Sequence, residues 1–279
     1  MHTRADKVRS IVAYCILACF LLFTLTPVLS IFTFAFLPEK ALKQYPPQLI
    51  PDLTYWDNFI FCMTNSNIPQ GMLNSVWVVG GSIIGVLVIG SMAAYGTAKA
   101  SPKFRGFVYG VLMVTNMIPA MANMIPLYMI LTKTGLLNSY AGLILIYITG
   151  QLSLSMLILI GYFKASIAEL EEAAMIDGCN WWQAFVKISL PIAKTGLVTC
   201  IIFTFAGTWN EFMMAKLLVT EPSKATFQVT LYAFQENYVK NGKFNYTAAA
   251  SIIGLLPVLI VYCTFQKGIT SGMTAGAIK

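Results

Sequence analysis

MLNSVWVVGGSIIGVLVIGSMAAYGTA, residues 72–98, holds no acidic or basic side chain from end to end. About 20 such residues wound as a helix cross the roughly 30 Å of hydrocarbon in a bilayer, so this run reads as a transmembrane helix. Comparable runs lie at 11–36, 104–131, 141–163, 192–219 and 246–266, which gives about six spans. The composition agrees: 57% of the 279 residues are hydrophobic and 10% are charged, against about 25% charged in soluble domains. The expected fold is an all-α, polytopic transmembrane helix bundle in a single domain, 1–279.

Basic residues flank the spans. Arg4, Lys7 and Arg9 precede the first, and Lys99, Lys103 and Arg105 lie between the second and third. These short basic flanks mark the cytoplasmic side. Alternation of six helices then places both termini in the cytoplasm and segments 37–71, 132–140 and 220–245 outside, although the last carries Lys224, Lys240 and Lys243. The net charge of +7 is explained by topology and anionic headgroups and gives no reason to invoke nucleic acid. The first span has the basic start of a signal peptide, but its apolar run is too long and lacks a small-residue cleavage site, so it reads as a retained helix.

Several features carry no chemistry. Gly81 with Gly85, and Gly106 with Gly110, have the spacing that lets membrane helices approach closely. The run 80–85 continues with Val86 and Leu87 where a phosphate loop needs Lys and then Ser or Thr. Cys15, Cys19, Cys62, Cys179, Cys200 and Cys263 form no C-x-x-C pair and read as packing residues; His2 is the sole histidine. Neither a catalytic group nor a metal site is expected.

Segment 166–191 departs from the apolar pattern. Ser166 and Glu169 have capping-box spacing for a short helix, which runs through Leu170, Glu172, Ala173 and Ala174 to Asp177. Gly178 suits the left-handed residue that ends it. A second short helix follows from Asn180, with Trp181, Trp182, Phe185 and Ile188 apolar and Gln183 and Lys187 polar. Pro191 suits the first turn of the next span. Leu170, Ala173, Ala174 and Asp177 share one face of the first helix, among the acids Glu169, Glu171, Glu172 and Asp177. Anionic lipid would repel such a hairpin, whereas a basic protein groove would receive it.

Glu172-Ala173-Ala174, then Gly178, Ile188 and Leu190-Pro191, resembles in order and spacing the EAA loop of ABC importer permeases. Further stretches resemble the carbohydrate, maltose-type branch: Asn74-Ser75, Ala93-Ala94-Tyr95, Ile125-Pro126-Leu127-Tyr128, Trp209-Asn210-Glu211 and residues 272–279. The chain departs from the family at Cys179, usually Ala, and at Thr195, commonly Pro. The resemblance implies that Glu172, Ala173, Ala174, Asp177, Gly178, Ile188, Leu190 and Pro191 form a cytoplasmic coupling hairpin that docks on a separate ATPase. That partner, a dimer, would bind ATP and Mg, with no cofactor in this chain. It further implies a second, homologous permease subunit in a heterodimer, an extracytoplasmic solute-binding protein, a sugar or oligosaccharide as solute, and the bacterial inner membrane as location. The Gly-, Ala- and Thr-rich tail, 268–279, is too short to fold alone and by resemblance would touch the ATPase.

For the solute pathway, Asn210 and Glu211 are polar groups near a span, where burial is costly. Trp209, Tyr128, Asn123 and Gln151 are further candidates, Trp209 equally an interfacial anchor and the others equally helix-to-helix hydrogen-bonding groups. Alternatives are an importer permease for a non-sugar solute such as glycerol phosphate, or an ion-coupled secondary transporter, which would be expected to show more buried ionisable residues.

Overall fold

A computed structural model describes residues 4–46, 48–164 and 168–277. Among them every regular element is a helix. In chain order the α-helices are α1 (Arg4–Ala35), α2 (Glu39–Lys43), α3 (Asp57–Thr64), α4 (Ile68–Lys99), α5 (Pro102–Met117), α6 (Met124–Thr134), α7 (Tyr140–Lys164), α8 (Ala168–Ile176), α9 (Trp181–Ala184), α10 (Leu190–Ile192), α11 (Lys194–Trp209), α12 (Met213–Leu218), α13 (Phe227–Val239) and α14 (Phe244–Ala277), with 3-10 turns at Ala120–Asn123 and Pro222–Lys224 and a π-turn at Phe185–Ser189.

Four stretches are individually long and apolar enough to cross a bilayer: Arg9–Ala35, Ile68–Lys99, Tyr140–Lys164 and Phe244–Gln266. Two more are bent pairs, Pro102–Met117 with Ala120–Thr134 at 89° and Trp181–Ile192 with Lys194–Trp209 at 73°. Counting each pair as one span gives the six expected, but the third and fifth are not straight rods. In the third, Pro119 follows an extended Ile118 (ψ 121°), and a residue before proline is pushed out of the helical region. The fifth, expected over 192–219, starts beyond a break at Ala193 and stops at Trp209, and residues 210–212 separate it from α12. Residues 268–277 also differ from expectation, because α14 continues through them to Ala277.

The chain divides into two compact units. Met1–Pro69 with Leu231–Leu256 form one. Within it Asn58, fully buried, donates from Nδ2 to the carbonyls of Ala35 (2.8 Å) and Leu37 (2.9 Å) and accepts from Asn245 (2.7 Å). The carbonyls left unpaired where α1 stops are thus satisfied by a side chain. Phe61 stacks on Tyr246 at 4.2 Å nearby. Burial in this unit pushes the Cys62 thiol up to about 12, so it remains a protonated packing group.

Gln70–Thr230 with Pro257–Lys279 form the second unit, in which α4 and α7 run through two apolar cores. One gathers Val78, Leu143, Tyr147, Met214, Leu218 and Val229; the other gathers Ala94, Leu112, Leu159, Phe163, Phe185 and Cys200. Between α4 and α7 the expected small-residue contact is present: a side chain at Gly81 would strike Ile144 Cδ1 at 2.8 Å, and one at Gly85 would overlap Ile148. Gly106 and Gly110 on α5 differ, since a β-carbon added at either would meet no neighbouring element within 4 Å. Of the cysteines, Cys62 and Cys200 are buried packing groups as expected, whereas Cys15, Cys19 and Cys263 are exposed.

Candidate functional site: a latched hairpin after the fourth span

Segment 168–192 forms the hairpin read from the sequence. The first limb, α8, closes with two hydrogen bonds, Cys179 N to Ala174 O (2.9 Å) and Gly178 N to Met175 O (3.1 Å). Together they make a Schellman ending, which needs a left-handed residue at its centre. Gly178 supplies it with φ +91°, and a β-carbon there would meet nothing within 4 Å but would sit on a backbone that resists it. Asn180 then caps α9: its side chain accepts from Gln183 N (2.9 Å) while Gln183 Oε1 accepts from Asn180 N (3.0 Å). The Ser166–Glu169 capping box lies outside the described residues.

Beyond Ala184 the second limb widens into a π-turn, Phe185–Ser189. Leu190–Ile192 follows, with Pro191 in its first turn, and the chain breaks at Ala193 before α11 begins. Thus Pro191 opens a short segment bent from the span, not the span itself.

The burial pattern separates two faces. Leu170, Glu172, Ala173, Asp177 and Gly178 are exposed, and Ile176 is 86% exposed. Trp181 and Trp182 are each 60% exposed, although Trp182 touches the Phe185 ring at 5.6 Å. Ile188 and Leu190 are half-buried and Pro191 is exposed. Ala174 turns inward, so the face read from the sequence is rotated: the buried positions of α8 include Ala174 and Glu171.

Glu171, to which the sequence pattern assigned no role of its own, is fully buried. Its Oε2 pairs with the Lys99 ammonium at the end of α4, and its Oε1 accepts the Ser189 hydroxyl of the π-turn. The Lys99 Nζ also lies 5.7 Å from the Tyr95 ring centroid. Tyr95, Phe163 and Phe185 surround the group, with centroids at 4.8 Å (Tyr95–Phe185), 5.7 Å (Tyr95–Phe163) and 6.2 Å (Phe163–Phe185). A buried charge is tolerated where it is paired and hydrogen-bonded, and both conditions hold here. The available signal was the i, i+3 spacing of Glu171 and Ala174 beside a lysine that ends a span.

The pathway candidates are divided. Trp209 is 2% exposed and stacks between Phe205 (5.6 Å) and Phe227 (6.0 Å), so it is a core residue and not an interfacial anchor. Glu211 accepts the Tyr147 hydroxyl (2.6 Å) and the backbone amides of Met214 (2.7 Å) and Ala215 (3.0 Å). It therefore ties off the start of α12. Asn210 is exposed and bonds back to Ala206 O (3.0 Å). Gln151 packs over Gly207, where a β-carbon would clash with its amide. Asn123 and Tyr128 are exposed beside the break in the third span. The sequence stretch Asn74-Ser75 also gains a reason: Asn74 Nδ2 donates to the carbonyls of Ser223 (2.9 Å) and Ala225 (2.8 Å), and the Ser75 hydroxyl accepts from Phe227 N (2.7 Å).

Residues 85–274 match the family described as binding-protein-dependent transport system inner membrane component. The chain is 30% identical, over 99% of its length and 91% of the relative's, to the diacetylchitobiose uptake system permease protein NgcG of Streptomyces coelicolor. It is also 30% identical to the trehalose transport system permease protein SugB of Mycobacterium tuberculosis, over 92% of this chain and 93% of that one. A crystal structure of a bacterial ABC transporter involved in alginate import contains a chain with the same fold, at TM-score 0.83 and 23% identity, covering 96% of this chain and 98% of that one. With its helical spans and this match over most of its length, the chain belongs to the binding-protein-dependent transport system inner membrane component family and is a multi-pass permease of the bacterial inner membrane.

Proposed function

We propose that the chain forms half of the translocation pathway of an ABC importer for a sugar or oligosaccharide, and that its hairpin is the coupling element received by a separate ATPase. The observation that carries this reading is the division of the hairpin: a base locked into the bundle and a capped tip whose Glu172, Ala173, Asp177 and Gly178 are uncovered. A carboxylate and small side chains on an uncovered face suit close insertion into a basic cleft. Relatives whose names specify diacetylchitobiose and trehalose support a sugar as solute.

In this reading the single permease domain has both termini and the hairpin in the cytoplasm. ATP and Mg are held by the ATPase dimer and not by this chain, and a second, homologous permease completes the pathway. A solute-binding protein delivers sugar from outside. Closure of the ATPase pair on ATP moves the hairpins, and the bundle alternates between outward-open and inward-open states. Asn123, Tyr128 and Asn210 are exposed polar or amphipathic groups offered to the pathway, with Glu211 and Trp209 as its scaffold.

The test is Glu172→Lys and Gly178→Leu in the assembled transporter. Each variant is expected to stay in the membrane, lose capture of the ATPase and reduce transport at least about tenfold, the scale of one buried charge-assisted contact. Normal transport by both variants would refute the coupling role.

A further inference from the structure

Glu171 and Glu172 are neighbours with opposite environments, and the buried one has no place on the docking surface. The other ion pairs described, Lys43–Glu39, Lys224–Glu221 and Lys240–Glu236, join residues three or four apart. Lys99–Glu171 joins two distant elements instead, the last turn of α4 and the first limb of the hairpin, and Ser189 adds the second limb. Three elements therefore meet on one carboxylate. Burying it is costly, and well-packed apolar side chains of like size serve stability as well or better, whereas polar groups specify one geometry.

We propose that Glu171, Lys99 and Ser189 are the joint through which movement of the hairpin reaches α4, with Glu171 a positioning residue for transport and not a docking residue. The inference rests on the reading of the hairpin as a coupling element. Its physical content is the mode of attachment. Apolar contacts alone, here Ala174, Phe185 and the rings of Tyr95 and Phe163, slide at little cost because they are non-directional. A carboxylate held by a cation on one side and a hydroxyl on the other fixes both distance and direction. When the tip is pushed, α8 and the π-turn carry Lys99, and hence α4, with them. Without the pair the tip can be received by its partner and still turn without moving the bundle.

The experiment uses the complete transporter in liposomes with its binding protein and sugar. The variants are Glu171→Gln, Lys99→Arg, and the apolar pair Glu171→Met with Lys99→Met, which removes both charges together. Three quantities are read: co-purified ATPase, binding-protein-stimulated ATP hydrolysis, and sugar transported per ATP hydrolysed. For Glu171→Gln and for the apolar pair, ATPase capture is expected to stay within twofold of wild type while transport per ATP falls about tenfold, the scale expected of a lost coupling contact. Lys99→Arg keeps the cation and is expected to retain transport within about threefold.

Transport per ATP within twofold of wild type in the apolar pair overturns the proposal. So does loss of ATPase capture in that pair, which would make the group part of the docking surface. Failure of both Glu171→Gln and the apolar pair to assemble overturns it as well, by making the group purely structural. A wild-type complex that captures no ATPase is a different result, since it removes the coupling reading itself.

Discussion

Glu171, at the base of the hairpin, and Glu211, at the break after α11, are both acids enclosed by helices, and they are held in opposite ways. Glu171 faces a lysine and a serine from two other elements. Glu211 faces Tyr147 and two amides of the helix that it starts. The first carboxylate joins elements far apart in the chain. The second mostly finishes a local turn, with Tyr147 fastening that turn to α7. One position depends on opposite charge and the other on hydrogen-bond donors, so their sensitivity to substitution should differ in kind as well as in size.

The largest effect expected from breaking this comparison is at the ion pair. Glu171→Ala leaves Lys99 beside an apolar cluster, and although its side chain is 28% exposed, a loss of about 3 kcal/mol is expected in thermal unfolding of the purified protein. Glu211→Ala removes a cap and the acceptor of a buried hydroxyl, so about 2 kcal/mol is expected in the same assay. Glu211→Gln keeps an acceptor and should recover about half of that, whereas Glu171→Gln should recover little, because an amide does not neutralise Lys99. The smallest effect is at Tyr147→Phe, about 1 kcal/mol for one lost hydrogen bond. If Glu211→Ala proves costlier than Glu171→Ala, the distinction between a charged joint and a local cap is wrong.

Much of this architecture was legible because membranes impose long apolar helices, and because caps are written locally. The run 72–98 became α4, Gly178 took a positive φ, and Asn180 capped the second limb as its position suggested. The breaks were harder. Pro119 did mark the bend in the third span, and its restriction on Ile118 was available to be read. At Asn210–Phe212, however, no glycine or proline interrupts the apolar run. The mark there is Glu211 itself, whose carboxylate accepts from the amides of Met214 and Ala215 at the start of α12, while the bond from Tyr147 belongs to another helix. The burial of Trp209 was hidden, because it carries no local mark of what will cover it, and that of Glu171 was signalled only by its spacing to Ala174 and by the lysine that ends a span. The face of α8 that turns inward carries Ala174 with Glu171 and leaves Ala173 outside, and Glu171 on that face meets the lysine at the end of α4.

The π-turn at Phe185–Ser189 makes this region intolerant of a change in length. An ordinary helix advances about 100° per residue, and a π-turn is the trace of one extra residue accommodated in the winding. Losing one residue there would let the coil tighten and swing the Ser189 hydroxyl away from Glu171, while every residue downstream kept its chemistry and lost its direction. The residue count of this limb therefore acts as a ruler for the whole second half of the loop.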